Sequence, residues 1–92
     1  MAIEWDNSKN KINIEKHGID LLDAYKIFEN PIILKIDNRV DYKEKRFIGI
    51  GKLEQIFVVL VYTKRGKNIR IISIRKANKI ERMIYNEQFK QN

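Results

Sequence analysis

Arginines set inside an isoleucine-rich strand are the first chemical signal in this sequence. The stretch Asn68-Ile69-Arg70-Ile71-Ile72-Ser73-Ile74-Arg75 puts two guanidinium groups and a hydroxyl into an otherwise apolar run. A guanidinium group is rarely withdrawn from water without a carboxylate or a bound anion to pair with. Arg46, in an earlier apolar stretch, and Lys64, Arg65 and Lys67, just ahead of this strand, enlarge the cationic set, with Tyr62 and Tyr85 close in sequence. Arginine binds phosphate through two parallel hydrogen bonds and stabilises the charge that grows during phosphoryl transfer. RNA carries its own nucleophile, the 2′-hydroxyl. Cleaving it therefore requires positioning, a proton acceptor and donor, and cations at the phosphate. The same set would equally serve a protein that only binds RNA, or strand cations that simply reach solvent.

Strand geometry limits a single-site reading. In a regular strand alternate residues face opposite ways. Ile69, Ile71, Ser73 and Arg75 then share one face, while Arg70, Ile72 and Ile74 share the other. Bringing Arg70 and Arg75 to one site requires a bulge, or an Arg75 that lies past the strand end.

The other candidates are scattered. His17, the single histidine, falls at the end of the first expected helix, where it suits a helix cap, a phosphate contact or a general acid. Asp37 and Asp41 flank a loop, and Glu81 sits on the closing helix one turn before Tyr85, so both can face the sheet. No constellation for Mg²⁺ or Zn²⁺ stands out, and no cofactor is expected. Gly49-Ile50-Gly51 is too weak a signal for a phosphate loop.

The elements that must position these groups are readable from the pattern. Asp6 caps a helix over 7–17 that Gly18 ends, with Trp5 as its anchor. Asp20 caps a second helix over 20–29, in which Leu21, Ala24, Tyr25 and Phe28 recur at helical spacing until Asn30-Pro31 stops it. Strands are expected near 32–37, 46–51, 56–63 and 68–75, the last two joined by a hairpin at Arg65-Gly66. Asn78 and Glu81 form a capping box for a helix over 78–88 that should carry Ile80, Met83 and Ile84 inward. Ile3-Glu4-Trp5 is long enough only for a brief strand. The sum is an α+β, two-layer domain spanning 1–92: a four-stranded antiparallel sheet, two N-terminal helices and a C-terminal helix.

Composition narrows the class. Nineteen Lys and Arg against twelve Asp and Glu leave a net charge of +7 over 92 residues, which attracts polyanions such as RNA. The absence of cysteine excludes disulfides, thiol nucleophiles and thiolate metal sites. The N-terminus lacks the form of a signal peptide and no stretch is long enough to span a membrane, so a cytoplasmic protein is expected.

The order of motifs carries a resemblance. Trp5-Asp6, Lys9, Asn13 and Lys16-His17-Gly18 form W-D-x-x-K-x-x-x-N-x-x-K-H-G. Ala24, Phe28 and Pro31 follow, then Asp41-Tyr42, Glu44, Arg46 and Gly51. Tyr62-Thr63, Arg65-Gly66, Ile69 to Ser73, Arg75, Ala77, Glu81 and Tyr85 complete the series. This resembles the BrnT family of toxins from bacterial type II toxin–antitoxin modules. The resemblance implies a RelE/barnase-like fold, metal-free RNA cleavage and growth arrest. It also implies a BrnA-like antitoxin with a ribbon-helix-helix domain, and operator DNA bound only through that antitoxin. On this footing Arg46, Arg70, Arg75, Tyr85, His17 and Glu81 are catalytic candidates, and Lys64, Arg65, Lys67 and Tyr62 are RNA contacts. Two positions depart from the family pattern. Lys43 stands where many relatives resemble D-Y-G-E-x-R with glycine, and Ile74 replaces a small residue.

Overall fold

The computed structural model describes residues 2–38 and 43–90. Asp41 and Tyr42 of the motif, and residues 39–42 of the charged loop, lie outside the described residues. The elements run in the order β1 (Ile3–Glu4), α1 (Asn7–His17), a 3₁₀ turn (Leu21–Asp23), α2 (Ala24–Ile27), β2 (Ile33–Ile36), β3 (Arg46–Leu53), β4 (Ile56–Arg65), β5 (Asn68–Lys76) and α3 (Lys79–Phe89).

The α+β expectation holds, with two corrections. The sheet has five strands in the order β1-β5-β4-β3-β2, and it is mixed rather than wholly antiparallel. β1 pairs in parallel with β5, Ile3 opposite Ile69 and Glu4 opposite Arg70. Two residues carry too little periodicity to announce a strand, and it is the edge of β5 that gives them a partner. The second helix is also shorter than expected. Asp20 accepts from the Leu22 amide at 2.9 Å, which tightens the first turn into 3₁₀ geometry and leaves α2 only four residues.

The helix boundaries follow the capping chemistry. Asp6 accepts from the Lys9 amide at 3.0 Å, and Gly18 closes α1 in the left-handed conformation at φ 70°. Asn78 accepts from the Glu81 amide, and the Glu81 carboxylate accepts from the Asn78 amide, both at 2.8 Å. The expected capping box is present.

The core lies on one face of the sheet. Val58, Leu60 and Tyr62 of β4 join Ile69, Ile71 and Ile74 of β5 there, under Ile19, Leu21, Ala24 and Ile27. Gly51 lies under Ile27: a Cβ built on Gly51 would stand 2.8 Å from Ile27 Cγ2. The Gly49-Ile50-Gly51 stretch is thus a strand in which Gly51 admits the covering layer, while Gly49 makes room for the side chains of Ile32, Leu34 and Leu60. α3 covers part of the opposite face, where Tyr85 meets the Phe57 ring edge-on with centroids 5.4 Å apart.

In α1 and α3 the buried residue is not one of the most apolar, and in α3 this overturns the inward face that helical spacing suggested. Ile12 and Ile14 of α1 are exposed, and Asn13 between them is the buried residue. Ile80, Met83 and Ile84 of α3 face outward instead of inward, and Tyr85 is buried in their place. Asn13 is buried because β1 is short. Beyond Arg70 the edge of β5 has no strand beside it, and the Asn13 amide takes that role. It donates to the Ile74 carbonyl at 2.9 Å, accepts from the Ile74 amide at 3.3 Å, and donates to the Ile19 carbonyl at 2.8 Å. A side-chain amide thus stands in for a missing strand.

Removing that amide leaves buried peptide groups unsatisfied, each costing about 1–3 kcal/mol. Asn13→Ala is therefore expected to lower unfolding free energy by about 2–4 kcal/mol. Asn13→Asp, which retains only the acceptor, should not restore it. Urea denaturation of both variants checks this, and a loss below 0.5 kcal/mol, the scale of an ordinary surface change, would contradict the edge-capping role.

A candidate RNA site on the open face of the sheet

The register of β4 and β5 resolves the parity problem. Val61 pairs with Ser73 but Tyr62 pairs with Ile71, so Ile72 is an extra residue and the ladder shifts there. On the open face β4 presents Val59, Val61 and Thr63, whose partners across the strand are Arg75, Ser73 and Arg70. The bulge therefore turns both arginines to one side. Arg46 pairs with Thr63 from the other flank, so Arg46, Thr63 and Arg70 form a row across three strands. From Thr63 to Val59 the strand advances about 13 Å, which sets the spacing of this row from Arg75.

Each end of this face has its own carboxylates. At the first, Arg70 Nη1 lies 3.5 Å from Glu4 Oε1. Glu44 bridges two cations there, 3.8 Å from Arg46 Nε and 3.8 Å from Arg65 Nη2. Thr63 is buried and donates its hydroxyl to the Lys45 carbonyl at 2.8 Å, which holds the start of β3 against the row. Lys43, just ahead, adopts φ 60°. That is the left-handed region that glycine enters most easily, which accounts for glycine at this position in the family pattern.

At the second end, Arg75 and Glu81 make a two-pronged pair, Nη1 to Oε1 and Nη2 to Oε2, both at 2.8 Å. The Arg75 guanidinium, with further help from the Asn78 amide and nearby Lys35, holds the Glu81 carboxyl below the ordinary glutamate range despite its burial. A cavity of about 560 Å³ opens beside the pair, lined by Lys35, Ile36, Asp37, Asn38, Ile48, Arg75 and Glu81. Lys35 faces Ile48 across the β2–β3 ladder, so it belongs to the same open face. Ile74, the second departure from the family pattern, is fully buried in the core on the other face.

The remaining candidates divide by face. Tyr62, expected to touch RNA, is instead a core residue at 4 % exposure. Its ring stacks on Phe47 at 5.2 Å and meets Phe28 edge-on at 5.6 Å, and burial pushes its hydroxyl pKa up. Tyr85 donates its hydroxyl to the Pro31 carbonyl at 2.9 Å, pinning α3 to the start of β2. Lys64 and Lys67 are exposed at the β4–β5 hairpin, with Lys64 Nζ 5.3 Å from the Phe47 ring centroid. His17 lines a separate groove of about 210 Å³ with Lys9, Ile12, Asn13, Lys16, Ile72 and Ser73. Ser73 is the link between that groove and the arginine face.

As site residues, sequence reading missed Glu4, Lys35 and Thr63, which acquire their places through strand pairing, and Glu44, which is placed just ahead of β3. Among the described residues no group of three His, Cys, Asp or Glu side chains comes together as a metal site.

The Arg75–Glu81 pair gives a pH signature. Because the folded carboxyl is more acidic than the unfolded one, its stabilisation is complete above the ordinary value of 4.5. It is lost as pH falls through the lowered folded value. Glu81→Gln retains the helix cap while removing the charge. It should cost about 1 kcal/mol at pH 7, kept small by the partial exposure of Arg75. The gap to the parent should narrow as pH falls from 4.5 through the lowered folded value, because protonation removes the charge from the parent as well. Denaturant titrations at pH 7 and pH 3 measure it, and a gap unchanged between them would contradict this account.

No curated protein sequence matches the chain. A family model described as "Ribonuclease toxin, BrnT, of type II toxin-antitoxin system" matches residues 5–81. That span takes in the capped α1, the whole sheet from Arg46 onward and the Arg75–Glu81 pair. The chain belongs to the BrnT family of ribonuclease toxins of type II toxin–antitoxin systems.

Proposed function

We propose that this chain, acting as one domain in the cytoplasm, cleaves RNA without a metal and so arrests translation and growth until a cognate antitoxin neutralises it. The observation that carries this reading is the bulge-aligned arginine face. Arg46 and Arg70 at one end and Arg75 at the other present cations along a stretch of sheet long enough to hold consecutive phosphates of one strand. Kinship of the α+β architecture with RelE-like ribonucleases is part of the same reading.

In this assignment Arg75 contacts the scissile phosphate, and Glu81 is its positioning partner, since both carboxylate oxygens are already taken by the guanidinium. The 2′-oxygen attacks the adjacent phosphorus, forming the O2′–P bond while the P–O5′ bond breaks. The 2′-hydroxyl gives up its proton to a base, and an acid returns one to the 5′-oxygen. Charge grows on the phosphoryl oxygens, where fixed guanidinium donors stabilise the transition state more than the ground state. Arg46 and Arg70 hold the flanking phosphate, and Arg65 and Lys67 extend the cationic track to the hairpin, while Lys64, paired with Ile69 and set over the Phe47 ring, lies on the other face. His17, in the neighbouring groove that shares Ser73, is the acid/base candidate. The antitoxin is proposed to be a BrnA-like ribbon-helix-helix protein, with operator DNA reached only through it.

Purified chain should cleave labelled single-stranded RNA in excess EDTA. Arg75→Ala and Arg70→Ala should each slow the reaction about 100-fold, near 3 kcal/mol of transition-state stabilisation, while circular dichroism shows an intact fold. Folded variants that cleave at the parent rate would remove the arginine face from the mechanism. Binding without cleavage by the parent would instead mark a non-catalytic RNA-binding module.

A further inference from the structure

α3 leaves its most apolar stripe uncovered. Ile80, Met83 and Ile84 are 69 %, 61 % and 48 % exposed, and they lie at i, i+3 and i+4 on one face. The inward side of the helix is occupied by other residues. Tyr85 is pinned to Pro31 and packed on Phe57, and Glu81 is bound to Arg75. Together with Glu87 and Gln88 the stripe lines a shallow depression of about 510 Å³.

The stripe does not end at the helix. Ile84 also lines a narrow cavity of about 170 Å³ between α3 and the sheet, with Ile33, Lys35, Ile48, Ile50, Val59 and Glu81. Lys35 and Glu81 in turn line the larger cavity that holds Arg75. An apolar track therefore runs from the outer face of α3 onto the sheet floor and ends against the cations of the proposed RNA site. The helix adds Lys79 and Arg82 beside the stripe, and the whole chain carries +7. A second copy would bring like charge to this surface, and single-stranded RNA would gain little from isoleucine and methionine at helical spacing. The occupant that fits both halves is a protein segment with apolar residues on one side and carboxylates on the other.

We infer that the Ile80–Met83–Ile84 stripe is the apolar anchor of the antitoxin, which lays an acidic amphipathic helix along α3 with its carboxylates reaching Lys35 and Arg75. This deepens the toxin reading and rests on the family's toxin–antitoxin character. Such docking is the helix-in-groove mode, with apolar side chains supplying most of the hold and charge supplying speed of encounter. It also places the antitoxin at the mouth of the Arg75 cavity, so that antitoxin and RNA exclude each other.

The test is the double variant Ile80→Lys/Met83→Lys, assayed with the cognate antitoxin of the proposed module. Lysine preserves the attraction for an acidic partner, so any loss of binding reports the apolar contact. The variant should fold, cleave RNA at the parent rate, bind the antitoxin at least 100-fold more weakly and escape neutralisation. Met83→Leu, which keeps the contact, should be neutralised like the parent. The parent complex should persist at about 0.5 M salt, where charge attraction reaches only a few ångströms. Unchanged affinity of the folded lysine variant would overturn the inference. So would a parent chain that elutes as a dimer dissociated by the same substitutions. A parent that loses antitoxin binding through the lysine variant yet never cleaves RNA would support the docking surface and refute the ribonuclease reading.

Discussion

One unpaired residue in β5 governs the electrostatics of this protein. Without the Ile72 bulge, alternation would send Arg70 and Arg75 to opposite faces, and one of them would enter the core. A guanidinium group among Leu60, Ile71 and Ile74 would carry a desolvation cost far larger than any ion pair at that depth returns. With the bulge, isoleucines at positions 69, 71 and 74 all enter the core, and arginines at 70 and 75 all leave it. The irregularity lets one strand be wholly apolar on one side and cationic on the other.

That irregularity needs support, and Asn13 supplies it. The bulge falls where β5 has run past its parallel partner β1, so its outer edge would present bare peptide groups. The Asn13 amide bonds both polar groups of Ile74, one residue beyond the shifted pair. α1 leaves Ile12 and Ile14, on either side of Asn13, exposed and contributes little apolar packing. Its attachment to the sheet rests on this amide, on Trp5 against the core and on Asn10, which accepts from the Leu21 amide at 2.9 Å. Fold and site are thus coupled: the group that completes the sheet edge also steadies the strand that aims the arginines.

α3 serves the open face differently. It is fastened at two points, by Tyr85 to Pro31 and by Glu81 to Arg75, and it covers only part of the sheet. The second fastening sits within the proposed site, so the helix that walls the groove also orients its cation. Glu81 caps its own helix and binds Arg75 with the same carboxylate. Helix placement and arginine orientation therefore depend on a single side chain. An apolar stripe on the free side of that helix gives a partner a direct hold on the element that shapes the groove.

Local chemistry was legible in the sequence wherever neighbours in the chain decide it. Asp6, Gly18, Asn78 and Glu81 mark helix ends because capping satisfies peptide groups within a few residues. The long strands announced themselves through β-branched runs, and the family pattern rested on ordered motifs. What needed the tertiary structure was every choice between faces. Tyr62 in an arginine-rich stretch reads as a surface ring, yet the register puts it opposite Phe47 in the core. Ile80 and Met83 read as core residues at helical spacing, but Tyr85, with a larger ring and a hydroxyl that finds Pro31, takes the buried side. The place of β1 in the sheet and the buried role of Asn13 were invisible because their partners on β5 lie more than sixty residues away. The sequence by itself determined how many cations this protein carries and which segments hold them. Only long-range pairing, through one bulge and one side-chain amide, decided that Arg46, Arg70 and Arg75 face the same way.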